Sequence, residues 1–220
     1  MQPLPLLPVT KFGEGGESLV YEHPTNRDLL IKLFTDKDKN RAPRTEADAA
    51  HIESLNDFQN GISYSHRQLL SANFSWPIET YGNRPGVIDA IGILRAPEDF
   101  WIDITMQSGK VNHLFLQVGY LTTDYLSRPA IKSAPFRDVS FENRVEVALE
   151  FLYSFQVLWD LGYRFCDFKE QNFSFTLNGR PRVFIIDAES ISPPNMSAIR
   201  TPGWFAPDQL GLSMESDRSL

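Results

Sequence analysis

Asp167, Lys169 and Asn172 fall within the short run Cys166-Asp167-Phe168-Lys169-Glu170-Gln171-Asn172. A carboxylate, an ammonium two positions on and an amide oxygen five positions on give one loop a proton acceptor, a cation and a metal ligand. That set suits phosphoryl transfer, although a lone Asp after a helix is as often a cap or turn residue. Asp187 ends the apolar run Val183-Phe184-Ile185-Ile186. A carboxylate at the tip of a buried strand has a fixed position and suits a hard divalent cation, its plainer role being to close a hairpin. Near the other end, Gly13-Glu14-Gly15-Gly16-Glu17-Ser18-Leu19-Val20 precedes a run that contains Lys32. Glycines between two strands let backbone amides approach an anion, and a lysine on the next strand reaches its charge. Taken alone, such a segment is more often only a turn.

Positioning these groups requires strands before and a helix between. The runs at 19–23 and 29–34, separated by Pro24-Thr25-Asn26-Arg27-Asp28, predict a hairpin. The stretch 44–58, with Ile52, Leu55 and Phe58 at helical spacing behind Pro43, predicts one helix. Paired strands around the turn Gly82-Asn83-Arg84-Pro85-Gly86 follow, so the first part reads as an antiparallel sheet carrying one helix. The stretch 107–140 reads as an insertion with a further helix. From 141 the sequence predicts a long helix ending at Gly162, its inner face formed by Val145, Ala148, Leu149, Leu152, Phe155 and Leu158. The β-rich runs 172–177 and 182–187 flank Asn178-Gly179, a signal for a type I′ hairpin. Pro193, Pro194, Pro202 and Pro207 mark 191–211 as a loop.

Composition narrows the function. The 220 residues are 42% hydrophobic and 22% charged, which is ordinary globular usage for one domain or a tightly joined two-lobed unit. A net charge of −7 lacks the basic footprint of a nucleic-acid binder. The single Cys166 forms no intrachain disulfide and no multi-cysteine metal cage. His23, His51, His66 and His113 are scattered without metal-ligand spacing. No apolar run approaches the length of a membrane span, and the first residues lack the pattern of a secretory signal. The expectation is a cytoplasmic protein, with no nucleic-acid or membrane partner.

Together with Thr201-Pro202-Gly203-Trp204-Phe205-Ala206-Pro207-Asp208, these motifs stand in the order found in the eukaryotic-like Ser/Thr protein kinase superfamily, which the chain resembles over 12 to about 210. The form is most similar to bacterial kinases linked to helix-hairpin-helix modules. The resemblance implies an α+β, bilobal protein-kinase-like fold. An N-lobe at 1–96 would hold an antiparallel sheet and one helix, and an abbreviated, mostly helical C-lobe would span 97–220. It implies ATP and Mg2+ as cofactors and a protein substrate. Gly13, Gly15 and Ser18 match the three glycine positions of the phosphate-covering loop, and Val20 the valine that packs on adenine. Lys32 matches the lysine of the α and β phosphates. Glu46 matches that lysine's helix-borne partner, with Asp48 and Glu53 as alternatives. Leu94, Arg95 and Ala96 fall at the adenine-binding hinge. Asp167 matches the catalytic base, Lys169 the phosphate-contacting lysine, and Asn172 and Asp187 the metal ligands.

The chain departs from the family at four places. Ser18 stands for the third glycine, Phe165-Cys166 for the His-Arg before the base, and Ala188-Glu189 for the Phe-Gly after the metal Asp. Only 12 residues follow Asp208, where relatives continue with several helices. The expected function is ATP- and Mg-dependent phosphoryl transfer to Ser/Thr hydroxyls, with a partner chain or self-association covering an incomplete C-lobe. The alternatives are a nucleotide-binding pseudokinase or scaffold and a small-molecule kinase.

Overall fold

The structure, a computed structural model, describes residues 2–4, 10–44, 46–121, 127–135 and 139–193. The expected docking turn at 201–208 lies outside them. β1 (Lys11–Gly15), β2 (Ser18–Glu22) and β3 (Leu29–Phe34) run antiparallel, and β4 (Pro77–Tyr81) and β5 (Ala90–Leu94) complete a five-stranded sheet in the order β1-β2-β3-β5-β4. β3 is central, and all six of its residues are buried, Lys32 among them. The run of branched aliphatics in Leu29–Phe34 accounts for this, since a strand covered on both faces has no polar side to show.

Two helices join β3 to β4, where the sequence predicts one. The first, α1 (Glu46–Gly61), buries Ala49, Ile52 and Leu55 as its spacing predicts. The second, α2 (Tyr64–Asn73), starts at Ser63, whose hydroxyl accepts a hydrogen bond from the His66 amide at 3.3 Å. That cap is the sequence signal for the additional helix, because Ser satisfies an amide the first turn leaves unpaired. A lone buried Leu70 gives α2 little periodicity to read.

Beyond residue 97 the described residues hold seven strands and one α-helix, so the expected mostly helical second half is not found. β6 (Trp101–Met106), β7 (Val111–Phe115) and β8 (Ile131–Ser133) form a sheet of order β7-β6-β8, its last two strands falling in the stretch 107–140 read as an insertion with a further helix. Alternation explains β6, where Ile102 and Ile104 point inward and Asp103 outward. The long helix α3 (Phe141–Asp160) is capped by Ser140. It is followed by β9 (Arg164–Phe165), the hairpin β10 (Phe173–Thr176) and β11 (Arg182–Ile185), and β12 (Ile191–Ser192), which pairs with β9. Five residues connect Thr176 to Arg182, and only Gly179 among them has positive φ, at 84°. A type I′ turn needs two such residues, so the hairpin closes with a longer loop.

The inner face of α3 also differs from the periodic reading. Val147, Ser154, Val157 and Leu158 are buried, whereas Val145, Ala148, Leu149 and Leu152 are exposed. Helix α3 is apolar on both sides, and contacts decide the winner. Asn73 of α2 donates to Ser154 Oγ at 2.8 Å, and Ser154 itself donates to the Glu150 carbonyl, also at 2.8 Å. This side also carries Phe151 and Phe155 toward the core that Leu55, Leu70, Phe74, Trp76 and Phe173 form between helices and hairpin.

Leu55→Ala should therefore destabilise the fold by about 2–5 kcal/mol, and Leu152→Ala should stay within about 0.5 kcal/mol of the wild type. Urea unfolding of both variants checks this, and equal losses would restore the outward face of α3 to the core.

Candidate active site

A cavity of about 750 Å³ opens where the first sheet meets the two loops after α3. Its lining brings together Gly13, Ser18, Lys32, Asp167, Asn172 and Asp187. The volume lies within the range of small-molecule sites. Each side chain is held by a different element. Lys32 projects from the central strand, opposite Val20 of β2 and Ile91 of β5. The β1–β2 turn is held by Lys39, whose ammonium donates to the carbonyls of Gly15 and Gly16. Gly15 has little room for a side chain, because a Cβ there would sit 2.9 Å from Ser18 Oγ.

The Asp167–Asn172 loop is anchored from below by Phe168. Its ring packs at centroid distances of 5.1 Å on Phe155, 5.5 Å on Phe165 and 5.6 Å on Phe173. Such pairs fix orientation as well as burying area. With Phe168 pinned inward, the loop closes on itself. Asn172 Nδ2 donates to both the backbone oxygen and Oδ2 of Asp167, each at 2.9 Å, and Lys169 Nζ donates to the same Oδ2 at 2.6 Å. The Asn172 carbonyl accepts from the Ile186 amide at 2.9 Å, which ties this loop to the one bearing Asp187.

Asp187 adopts left-handed backbone, φ 59° and ψ 39°, directly before the 3₁₀ turn Ala188–Ser190. A non-glycine residue there carries strain, and Asp is among the few that tolerate it. Its Oδ1 accepts from Lys32 Nζ at 2.7 Å, and its Oδ2 lies 3.4 Å from Lys169 Nζ. Glu189 also accepts from Lys32. Burial works against the charge on Lys32, yet Asp187 and Glu189 overcome it and hold the ammonium well above the usual lysine range. Burial likewise opposes ionisation of Asp187, and the two lysines reverse this and lower its carboxyl. Lys169 is raised because its bond to Asp167 and the charges of Asp187 and Asp167 outweigh its partial desolvation. Two ammonium groups and three carboxylates leave the cluster with one net negative charge.

Of the residues singled out in the sequence, Gly13, Gly15, Ser18, Val20, Lys32, Ala96, Asp167, Lys169, Asn172 and Asp187 line the cavity. Arg95 does not. Its amide donates to the Asp28 carbonyl at 2.9 Å, and its guanidinium lies over the Phe12 ring and near Glu22. Glu46 is exposed at the start of α1, beside Gly86, and makes no ion pair with Lys32. The partner is Glu189, reached across 157 residues of sequence. No spacing rule singles out Glu189, though a carboxylate two residues after Asp187 is its only local signal. Trp101 and Phe115, from the unexpected second sheet, supply an aromatic wall.

Among the described residues, no group of three or more His, Cys, Asp or Glu side chains is arranged to hold a metal ion. No helix among them is long and apolar enough to cross a membrane. Comparison with known protein families finds no match, and no curated protein matches the chain.

The depressed Asp187 carboxyl makes stability depend on acid. Its contribution is complete above the unfolded carboxyl's pKa, near 3.9, and vanishes as pH falls through the lower folded value. Wild-type unfolding free energy should fall over this interval by a component that Asp187→Asn lacks, as read by urea unfolding from pH 6 downward. Parallel profiles for the two proteins would contradict the assignment. At neutral pH, Asp187→Ala should unfold about 1 kcal/mol more easily than Asp187→Asn, because Asn tolerates left-handed backbone and Ala does not.

Proposed function

We propose that the chain is a kinase-like phosphotransferase that moves the γ-phosphoryl group of ATP, with Mg2+, to a Ser/Thr hydroxyl of a protein. The observation that carries this reading is the meeting of Lys32 with Asp187, 155 residues apart, inside a cavity roofed by the glycine turn and floored by Asp167 and Asn172. In a bilobal arrangement the first sheet would serve as the nucleotide lobe and the later loops as the acceptor side. The protein acceptor rests on Thr201-Pro202-Gly203-Trp204-Phe205-Ala206-Pro207-Asp208.

The residues fit a magnesium nucleotide. Mg2+ takes oxygen ligands, keeps several waters and commonly uses one or two protein groups plus phosphates. With Nδ2 committed to Asp167, Asn172 retains Oδ1, and Asp187 adds a carboxylate within a cluster of net negative charge. Bound Mg2+ would supply charge neutralisation between the β and γ phosphates. Ala96, buried at the cavity wall, makes no backbone hydrogen bond to the described residues, so its N–H and C=O suit an adenine edge.

Asp167 would orient the acceptor hydroxyl and take its proton as the oxygen bonds to the γ-phosphorus. The bond from that phosphorus to the β–γ bridging oxygen breaks, and ADP leaves. Lys169 and Asn172 hold Asp167 Oδ2, which fixes the carboxylate for this step. Lys32 and Lys169 would offset charge on the phosphates, and the glycine turn would bring backbone amides close to them.

ATP with Mg2+ should stabilise the wild type, by about 2.7 kcal/mol at a hundred-fold excess over Kd, and leave Asp187→Ala unchanged in thermal unfolding. Labelled phosphate should reach a Ser/Thr-containing protein with the wild type, and Asp167→Asn should bind nucleotide while losing about 10²-fold or more in transfer. Gly13→Ala has open space at its Cβ, so it should leave the unliganded protein's stability intact and weaken ATP binding. Wild-type binding without transfer would favour a scaffold, transfer to small hydroxyl compounds alone a small-molecule kinase, and no binding would end the reading.

A further inference from the structure

Lys32 has two carboxylate partners that are not equivalent. Asp187 is shared with Lys169 and has 28% of its side chain exposed, against 14% for Glu189. Glu189 lies on the side of Lys32 that faces α1. Its backbone carbonyl can only accept, so His51 Nε2 of α1 donates to it at 3.0 Å. Phe34, Arg44, Asp48 and Ile52 surround the same place. Ala188, fully buried, and the Ser190 amide, which donates to the Asp187 carbonyl at 3.0 Å, fix the short turn carrying the side chain. Both carboxylates thus line the cavity, and Glu189 alone also borders the recess between β3 and α1.

Resting on the phosphotransferase reading, we propose that Glu189 is a positioning residue, the standing counter-charge of Lys32, which lets Asp187 exchange the lysine for a metal–nucleotide. The difficulty it resolves is electrostatic. A dication held by Asp187 would compete with the Lys32 ammonium for the carboxylate, so its binding would weaken the Lys32–Asp187 pair. A buried ammonium stripped of its last carboxylate would carry an uncompensated desolvation cost, which would weaken the binding of any metal that displaced it. With Glu189 in place the ammonium keeps a carboxylate throughout. Helix α1 serves this lysine through a histidine that holds the backbone of Glu189, in place of a glutamate of its own.

Two measurements test the assignment, and the first needs no activity. In the nucleotide-free protein, Asp187→Asn and Glu189→Gln each leave Lys32 one carboxylate, whereas the double variant leaves none. The double variant should lose more unfolding temperature than the two single losses combined, and introducing Lys32→Met should abolish that excess. Additive losses, or an excess that survives Lys32→Met, overturn the pairing. The Lys32→Met background also supplies a folded protein if Glu189→Gln alone unfolds, since it removes both charges. The second measurement titrates Mg2+ at fixed ATP and reads nucleotide binding by calorimetry. Glu189→Gln should raise the Mg2+ concentration for half-maximal binding by about ten-fold, equivalent to about 1.4 kcal/mol, with binding recovered at excess Mg2+. An unchanged Mg2+ requirement, or a loss that Mg2+ does not recover, overturns the exchange role. A wild type that shows no Mg2+-dependent nucleotide binding overturns the phosphotransferase reading and the exchange role with it, while the nucleotide-free cycle judges the pairing separately.

Discussion

The site depends on an ammonium group in the middle of a strand with no exposed residue. β3 is otherwise aliphatic and aromatic, and Lys32 is 8% exposed. Such a charge persists only where carboxylates meet it, because an unpaired buried ion costs more than any nearby packing returns. The meeting requires the first sheet to dock against the Asp187–Ser190 turn at one position and no other. That single requirement fixes how the sheet sits on the hairpin loops, and thereby where the cavity lies.

The opposite side of the cavity is set by apolar packing. Phe168 stands between Asp167 and Lys169 in sequence and points away from both, into rings from α3, β9 and β10. Alternation about this residue turns the two charged neighbours toward the cavity, where Asn172 completes the loop with two hydrogen bonds to Asp167. Backbone bonds extend the frame: Ser75 N–H to the Ile185 carbonyl at 2.8 Å, and Leu94 N–H to the Trp76 carbonyl at 3.0 Å. Through them β11, the segment between α2 and β4, and the end of β5 are registered to one another. A hydrophobic base and a polar upper surface thus divide the work, the first supplying rigidity and the second charge placement.

Local regularity governs what was legible. The strands at 18–22 and 29–34, α1 and the hairpin of β10 and β11 follow from runs of β-branched or periodic residues. Helix α2 escapes because its apolar face amounts to little more than Leu70, and the second sheet is hard to read because the polar Asn112 and His113 interrupt β7 and β8 has only three residues. The face of α3 is ambiguous in the sequence itself, which offers two apolar stripes. The inner face carries Ser154, a polar residue in the core whose hydroxyl is satisfied by Asn73 and by the Glu150 carbonyl.

Residue chemistry is a property of the chain, so the sequence alone determined which groups are available to the proposed phosphotransferase site: Gly13, Lys32, Asp167, Asn172 and Asp187. It also places Asp167, Lys169 and Asn172 on one short loop, so that a single segment carries all three. Which distant groups pair was decided by the tertiary structure. Glu46 and Glu189 are equally plausible partners for Lys32 as carboxylates, and only the docking of the turn after β11 selects the second. Arg95 likewise belongs to the expected hinge by sequence position, yet its amide is spent on Asp28 and its side chain on Phe12. The reason is common to both. A local pattern constrains residues a few bonds apart, whereas an ion pair across 157 residues is set by how the elements pack, and each buried charge takes the partner that packing brings within reach.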